Sequence, residues 1–303
     1  MSLYQKHRPT SLKNLIGNVQ VVRSLESMLQ IEKQRPHVYL LHGPKGCGKT
    51  TLARIIAKEL GAKGADFKEM DTADFRGVDV IREIRKQAHF RPMESPCRVW
   101  VLDECHKLTN DAQSAMLKIL EDTPDHVYFV LCTTDPQKLL PTVRSRCTQF
   151  QVEPLTDVQM KKLLVRTAKK EGEKLGRSVV EQIIQDSLGH PRDALQILDK
   201  VLRVEPKMRR KVAMQAADKQ NQSIELCRAL LKGEPWKKIQ NILDGLKTEE
   251  AEQVRRHVLG YCQAVLLKSD NERAGLIMEE FIEPFYDSGF PGLVLASYTV
   301  VKN

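Results

Sequence analysis

The sequence contains no run approaching the roughly 20 apolar residues that a bilayer-spanning helix needs, so a membrane-embedded role is not expected. Its first eight residues, Met1 to Arg8, carry no apolar core of the kind that directs export. Cysteine stands at seven scattered positions (47, 97, 105, 132, 147, 227 and 262), and no two form a Cys-x-x-Cys pair. A zinc module or a thiol redox motif therefore has no support, and reduced thiols in the cytoplasm are expected. Internal repeats and low-complexity tracts are also missing. With those classes set aside, 41% hydrophobic and 29% charged residues describe an ordinary globular chain. Its 303 residues suit two or three domains. The net charge of +9 leaves room for a nucleic-acid partner without requiring one.

The first half alternates strand-like and helix-like segments. Val38–His42, Phe67–Met70, Arg98–Leu102 and Val127–Leu131 are short apolar runs of strand length. Between them, Thr50–Leu60, Val78–Gln87 and Ala112–Glu121 repeat their apolar residues at helical spacing, and Pro124 closes the last. Strands separated by helices predict a parallel α/β sheet covered on both faces. After Pro154 the pattern becomes all-helical: Thr156–Glu171, Val179–Leu188 and Pro191–Val201 first. A basic link, Arg203 to Lys211, then leads to helices near 210–219, 223–232, 235–246, 249–268, 271–287 and 291–302. The expected division is 1–153 as an α/β nucleotide-binding core, 154–204 as a small helical domain and 205–303 as a helical bundle.

Gly43-Pro44-Lys45-Gly46-Cys47-Gly48-Lys49-Thr50 satisfies G-x-x-x-x-G-K-[ST] between a strand and a helix. Glycines there let backbone N–H groups turn inward around phosphate oxygens, beside the positive end of a helix. Lys49 is expected to reach the β- and γ-phosphates and the Thr50 hydroxyl to sit on Mg²⁺, with Thr51 following on the same turn. Downstream, the run Val99 to Leu102 ends on Asp103-Glu104. A carboxylate at a strand tip beside the P-loop strand suits the outer shell of Mg²⁺, which assigns metal duty to Asp103 with Thr50. Glu104 is then placed to orient or deprotonate an attacking water, so hydrolysis of a nucleoside triphosphate, ATP, is the expected reaction. An Asp-Glu pair can equally cap a strand-to-helix turn, and the P-loop upstream is what favours catalysis. Thr133 and Thr134 end the next strand. Thr134 is the preferred hydroxyl for the γ-phosphate or the water, with Thr133 as the fallback; both could be satisfied by local backbone instead.

Tyr4-Gln5-Lys6-His7-Arg8-Pro9, Leu15-Ile16-Gly17-Asn18, the P-loop, Asp103-Glu104-Cys105-His106, Thr133 to Lys138, Ser145-Arg146-Cys147 and Gly189-His190-Pro191-Arg192-Asp193-Ala194-Leu195 occur in a recognisable order. In that order and spacing the chain resembles the clamp-loader AAA+ ATPases: the gamma/tau subunit of bacterial DNA polymerase III and the small subunits of replication factor C. The resemblance implies an AAA+ core, a helical lid and a helical collar that holds subunits together. It implies that Arg146 acts in trans as an arginine finger and that Arg192 senses the γ-phosphate from the lid. Arg8, Pro9, Ile16 and Gly17 would line the adenine side. Arg76, Gly77 and Arg82 look like the DNA-facing helix start of replication factor C small subunits, with Lys107, Lys118, Arg85 and Lys86 as further candidates. Arg82 could equally be a solvated residue paired with an acidic neighbour. The implied partners are a sliding clamp, the backbone of primer–template DNA and other loader subunits in a five-membered ring, in the cytoplasm at the replication fork.

The sequence departs from gamma/tau in lacking the four-cysteine module after the P-loop helix, whereas Thr133-Thr134-Asp135-Pro136-Gln137-Lys138 looks bacterial. A phage source would reconcile the two. The competing expectations are a branch-migration motor, which would need a winged-helix domain, and a non-catalytic stator, against which the intact Glu104, Arg146 and Arg192 argue.

Overall fold

The computed structural model describes residues 2–32, 35–210, 212–213, 222–247, 249–267 and 269–302. Five parallel strands form one sheet: β1 (Val38–His42), β2 (Phe67–Asp71), β3 (Arg98–Asp103), β4 (Val127–Thr133) and β5 (Thr148–Gln151). Their order is β2-β3-β4-β1-β5. Helices α1 (Leu3–Lys6) and α2 (Val19–Gln30) precede the first strand, and α3 (Lys49–Glu59), α4 (Val78–Ala88), α5 (Asn110–Glu121) and α6 (Pro141–Arg144) connect the strands. Chain order and sheet order diverge at β1, which pairs with β4 on one side and β5 on the other. That is the kind of point where the C-terminal ends of parallel strands leave a crevice for a ligand.

Alternating residues of each strand feed two separate cores, because side chains of a strand point to opposite faces. Tyr39, Leu41, Val99, Val101, Val130 and Cys132 pack with Leu52, Ile55 and Ile56 of α3. Val38, Leu40, Trp100, Leu102, Phe129 and Leu131 pack with Ile81, Ile84, Met116 and Ile119 of α4 and α5. All seven residues of β4 are buried, so each large side chain on it contributes about 1.5–3 kcal/mol of apolar burial. The expected α/β sheet is therefore present, and β5 and α2 are among the elements that the sequence reading did not place. β5 carries only one buried residue, Phe150, among polar neighbours. Helix α2 is anchored by Leu25 and Leu29, one turn apart.

The chain divides into two compact units, Met1–Thr167 with Gly189–Arg192, and Ala168–Leu188 with Asp193–Asn303. The boundaries fall inside α7 (Asp157–Lys170) and α9 (Pro191–Leu202); α8 (Arg177–Ser187) lies between those two helices. The second unit is helical, with α10 (Gln222–Lys232), α11 (Trp236–Gly245), α12 (Ala251–Leu266), α13 (Glu272–Glu280) and α14 (Gly289–Lys302). Its core joins Leu226, Leu230, Ile239, Val258, Ile277, Phe281 and Leu293. Two buried ion pairs brace it, Arg228 with Asp186 and Arg255 with Glu252. The helix expected at 210–219 falls largely outside the described residues. The helix expected over 271–287 is shorter: α13 stops at Glu280, and the chain from Phe281 runs through Pro284, which an α-helix interior does not accept. Among the described residues no helix is long and apolar enough to cross a membrane.

Candidate functional site

The loop between β1 and α3 makes three left-handed turns, with φ of 143° at Gly43, 80° at Gly46 and 101° at Gly48. The three glycines are needed for different reasons. A Cβ on Gly43 would stand 2.1 Å from the Val152 carbonyl oxygen, so glycine is required there by the close approach of two backbones. A Cβ on Gly48 would meet nothing within 4 Å; its glycine serves the backbone turn alone. No side chain caps the start of α3, which leaves the first N–H groups of that helix available to an anion. Lys49 is 6% exposed, and its Nζ donates to the carbonyls of Gly43 at 2.8 Å and Pro44 at 2.9 Å. Burial lowers its pKa from the ordinary value, opposed by the Glu104 and Asp103 carboxylates nearby. A buried ammonium held by its own loop's carbonyls, beside a helix start that no described side chain caps, fits a polyphosphate.

Strand β4 separates β3 from β1, so Asp103 is not on the strand next to the P-loop strand, contrary to the simplest sequence expectation. The contact is made by side chains instead: Thr50 Oγ1 donates to Asp103 Oδ2 at 2.7 Å. The other Asp103 oxygen accepts the Glu104 N–H at 3.0 Å. These are the oxygen donors that a Mg²⁺ ion would need at a P-loop. Glu104 has φ of 51°, an uncommon conformation for a non-glycine residue. Thr72, buried at the end of β2, donates its hydroxyl to the Asp103 carbonyl at 3.0 Å and the Glu104 carbonyl at 2.7 Å. Sequence reasoning missed Thr72, since nothing in the order of residues signals a hydroxyl reaching across to the tip of the neighbouring strand.

The Glu104 carboxylate faces the end of β4. Its Oε2 accepts from Thr134 Oγ1 at 3.4 Å and lies 3.4 Å from His106 Nδ1. Thr133 is fully buried; its hydroxyl oxygen accepts the Asp135 N–H and sits 3.0 Å from the same His106 nitrogen. Thr134, Glu104, Asp103, Thr50 and Lys49 are thus brought together, with Thr133 beneath them.

Within the same unit, Gly189 to Arg192 lies on the P-loop. The Arg192 N–H points at the Gly46 carbonyl at 3.4 Å, His190 Nδ1 is 3.4 Å from Cys47 Sγ, and the Arg192 guanidinium stands 5.5 Å from the centre of the Tyr4 ring. Gly17, with φ of 82°, is buried, and a Cβ there would meet Leu155 at 2.3 Å. Asn18 clamps both backbone groups of Glu153. Arg8, Pro9 and Ile16 are half-buried on this side of the unit. Lys45 and Pro44 are exposed, and Thr51 is half-buried on α3.

The remaining candidates stand apart from that group. Arg146 follows α6 and is held by the Thr142 carbonyl at 2.9 Å and the exposed Glu121 carboxylate at 3.3 Å. Arg76 folds back on the Ala73 carbonyl, and Gly77 starts α4. Arg82 pairs with Asp79 at 3.0 Å, with both side chains exposed. Lys107 is exposed beyond Glu104. Among the described residues no three His, Cys, Asp or Glu side chains cluster as a metal site, and all seven cysteines are free thiols.

Comparison with known proteins follows the same lines. Residues 65–156 match the family model of the DNA polymerase III delta subunit. The chain is 36% identical over 225 residues to the DNA polymerase III gamma/tau subunit of Mycobacterium tuberculosis, covering 67% of this chain and 39% of that one. It thus spans about two fifths of the length of these gamma/tau relatives. It is 32% identical to the replication factor C small subunit of Methanococcus maripaludis, over 71% of this chain and 69% of that one. Among solved structures, the RuvB Holliday junction branch migration motor of Thermotoga maritima aligns with a TM-score of 0.60 over 74% of this chain and 79% of RuvB. At 23% identity that likeness concerns the fold. The match to the Methanococcus maripaludis protein runs over more than two thirds of both chains, and on that footing this chain belongs to the clamp-loader family of AAA+ ATPases.

Proposed function

We propose that this chain is an ATP-hydrolysing subunit of a sliding-clamp loader, which opens a ring clamp and places it on primer–template DNA. The observation that carries the reading is the Thr50–Asp103 hydrogen bond at 2.7 Å, with Glu104 on the next residue and Lys49 buried in the P-loop. ATP is the substrate class, held by the N–H groups of residues 46–51 and the Lys49 ammonium. Arg8, Pro9, Ile16 and Gly17 form the adenine side. Thr50 and Asp103 would hold Mg²⁺, which when bound neutralises phosphate charge. Glu104 accepts a proton from water, Thr134 orients that water or the γ-phosphate, and Arg192 responds to the γ-phosphate.

Arg146 stands apart from its own chain's P-loop group, which supports a role in trans, on a neighbour's nucleotide. Arg76, Gly77, Arg82 and Lys107 are exposed and suit contact with phosphates rather than bases. Residues 154–204 act as the lid and 205–303 as the collar of a five-membered ring with other loader subunits. ATP binding favours the assembled form able to hold an open clamp, and hydrolysis removes that bias. The site favours this reading over a stator, because each residue that hydrolysis needs is present.

The test is ATP turnover by the purified chain, alone and with primer–template DNA and clamp, beside Arg146→Ala. The expected result is stimulation by DNA that the substitution abolishes. Turnover that ignores DNA, clamp and Arg146 alike would exclude the loader mechanism.

A further inference from the structure

Beside the Glu104 carboxylate stands His106, which the reaction outlined above does not use. Its side chain is 11% exposed, so water is a poor substitute for its protein partners. Nδ1 lies 3.0 Å from Thr133 Oγ1 and 3.4 Å from Glu104 Oε2. The Thr133 oxygen already accepts the Asp135 N–H at 3.0 Å, which leaves its own hydrogen free to turn toward the ring. Two proton arrangements follow. With the proton on Nδ1, the ring donates to Thr133 Oγ1 and presents the positive end of the same N–H to the Glu104 carboxylate 3.4 Å away. With the proton on Nε2, the single lone pair of Nδ1 accepts from Thr133 and the nitrogen has no hydrogen to offer Glu104. The first arrangement holds the carboxylate and the second does not. Glu104, Lys138, Lys107 and Asp135 are the charged groups around the ring, and burial is the largest influence on it, lowering its pKa from the ordinary value. Burial therefore favours the neutral ring, for which the choice is between tautomers.

We propose that His106 is a positioning residue for hydrolysis, whose Nδ1–H ties the Glu104 carboxylate to the end of β4. The same Glu104 oxygen also accepts from Thr134, so both contacts fix the carboxylate relative to one strand tip. This rests on Glu104 being the base of the proposed reaction. Holding a base in place governs rate more than affinity, because a misplacement of about 1 Å can cost roughly 100-fold.

Histidine-selective ¹⁵N labelling of the full chain reads the tautomer directly, with the His106 signal assigned by its loss in His106→Asn. The expected result is Nδ1–H in the wild type and Nε2–H in Glu104→Ala, where Thr133 becomes the donor. An Nε2–H ring in the wild type, or a tautomer unmoved by Glu104→Ala, overturns the proposal. Single-turnover ATP hydrolysis and binding of a fluorescent ATP analogue then separate the roles. His106→Ala is expected to slow hydrolysis roughly 10- to 100-fold with nucleotide affinity within about twofold, and His106→Asn, which keeps a donor, to recover most of the rate. Equal losses of affinity and rate in both variants would mark a purely structural residue and reject the proposal. Glu104→Gln keeps the two readings apart. If it hydrolyses normally, Glu104 is not the base and the proposed reaction fails. If it is inactive while His106→Ala is normal, only the role of His106 fails.

Discussion

At the scale of single residues, Asp103 and Glu104 are neighbours with different partners, and the backbone between them keeps their carboxylates apart. The left-handed φ of Glu104 turns its side chain toward Thr134, while Asp103 remains on Thr50. Such a conformation costs on the order of 1–2 kcal/mol, offset by the Thr72 hydroxyl on both carbonyls and by the Asp103 carboxylate on the Glu104 N–H. Glu104→Gln is expected to reduce hydrolysis by about 100-fold or more while leaving ATP binding intact, read by single-turnover assays and equilibrium binding. Thr72→Val should be a different kind of variant. It removes a buried hydroxyl and leaves two carbonyls without that donor, so stability should fall by roughly 1–3 kcal/mol. Hydrolysis should fall with it, since the turn that aims Glu104 loosens; urea unfolding and turnover on the same preparation check both.

Elements differ in how far they can be read from sequence, and the reason is where their partners lie. Strands β1, β3 and β4 are buried on both faces, so they show as unbroken apolar runs, and helices α3, α4 and α5 repeat apolar residues toward one face. The P-loop, the Asp103-Glu104 pair and the two threonines were legible for the same local reason. Strand β5 was not, because at a sheet edge only Phe150 is buried. The contacts of Thr72 and His106 were hidden as well, since they join strand tips about 30 residues apart in the chain. Helix α13 is instructive because the local signal was present and overridden by apolar periodicity. Pro284 marks the end of helix, and the segment after Glu280 is fastened by Arg255, which donates to the carbonyls of Phe281 and Ile282 at 2.9 Å while paired with Glu252. Glu252 also accepts the Phe285 N–H at 3.0 Å.

Hydrogen bonds from Arg255 hold the Glu252 carboxyl at about 2, well below its usual 4.5. A depressed carboxylate contributes stability that is present above its unfolded value and disappears as pH falls through the folded one. The contribution is therefore complete above about pH 4.5 and lost toward pH 2, amounting to about 3 kcal/mol. Glu252→Gln should flatten the fall in unfolding midpoint over that window. Glu252→Ala should cost about 3–5 kcal/mol at pH 7, because it strands Arg255 in a buried position.

For the whole molecule, the proposed trans role of Arg146 would make a single chain an incomplete enzyme. Its guanidinium is occupied by the Thr142 carbonyl and by Glu121, and Glu121 is 61% exposed. An ion pair with so exposed a carboxylate is worth about 1 kcal/mol or less, so it can be exchanged for a stronger anion at modest cost. The phosphates of a nucleotide bound to an adjacent subunit would be such an anion. Two defects should then complement each other. Lys49→Ala removes the nucleotide contact but keeps the arginine, and Arg146→Ala keeps the site but removes the finger. Each should hydrolyse slowly alone. Mixed at equal concentration, they should exceed the sum of their separate rates, because a Lys49→Ala chain lends Arg146 to the intact site of its neighbour. Restoration should also rise with total protein concentration, as a site shared between chains requires, whereas a finger acting within one chain would give strictly additive rates at every concentration.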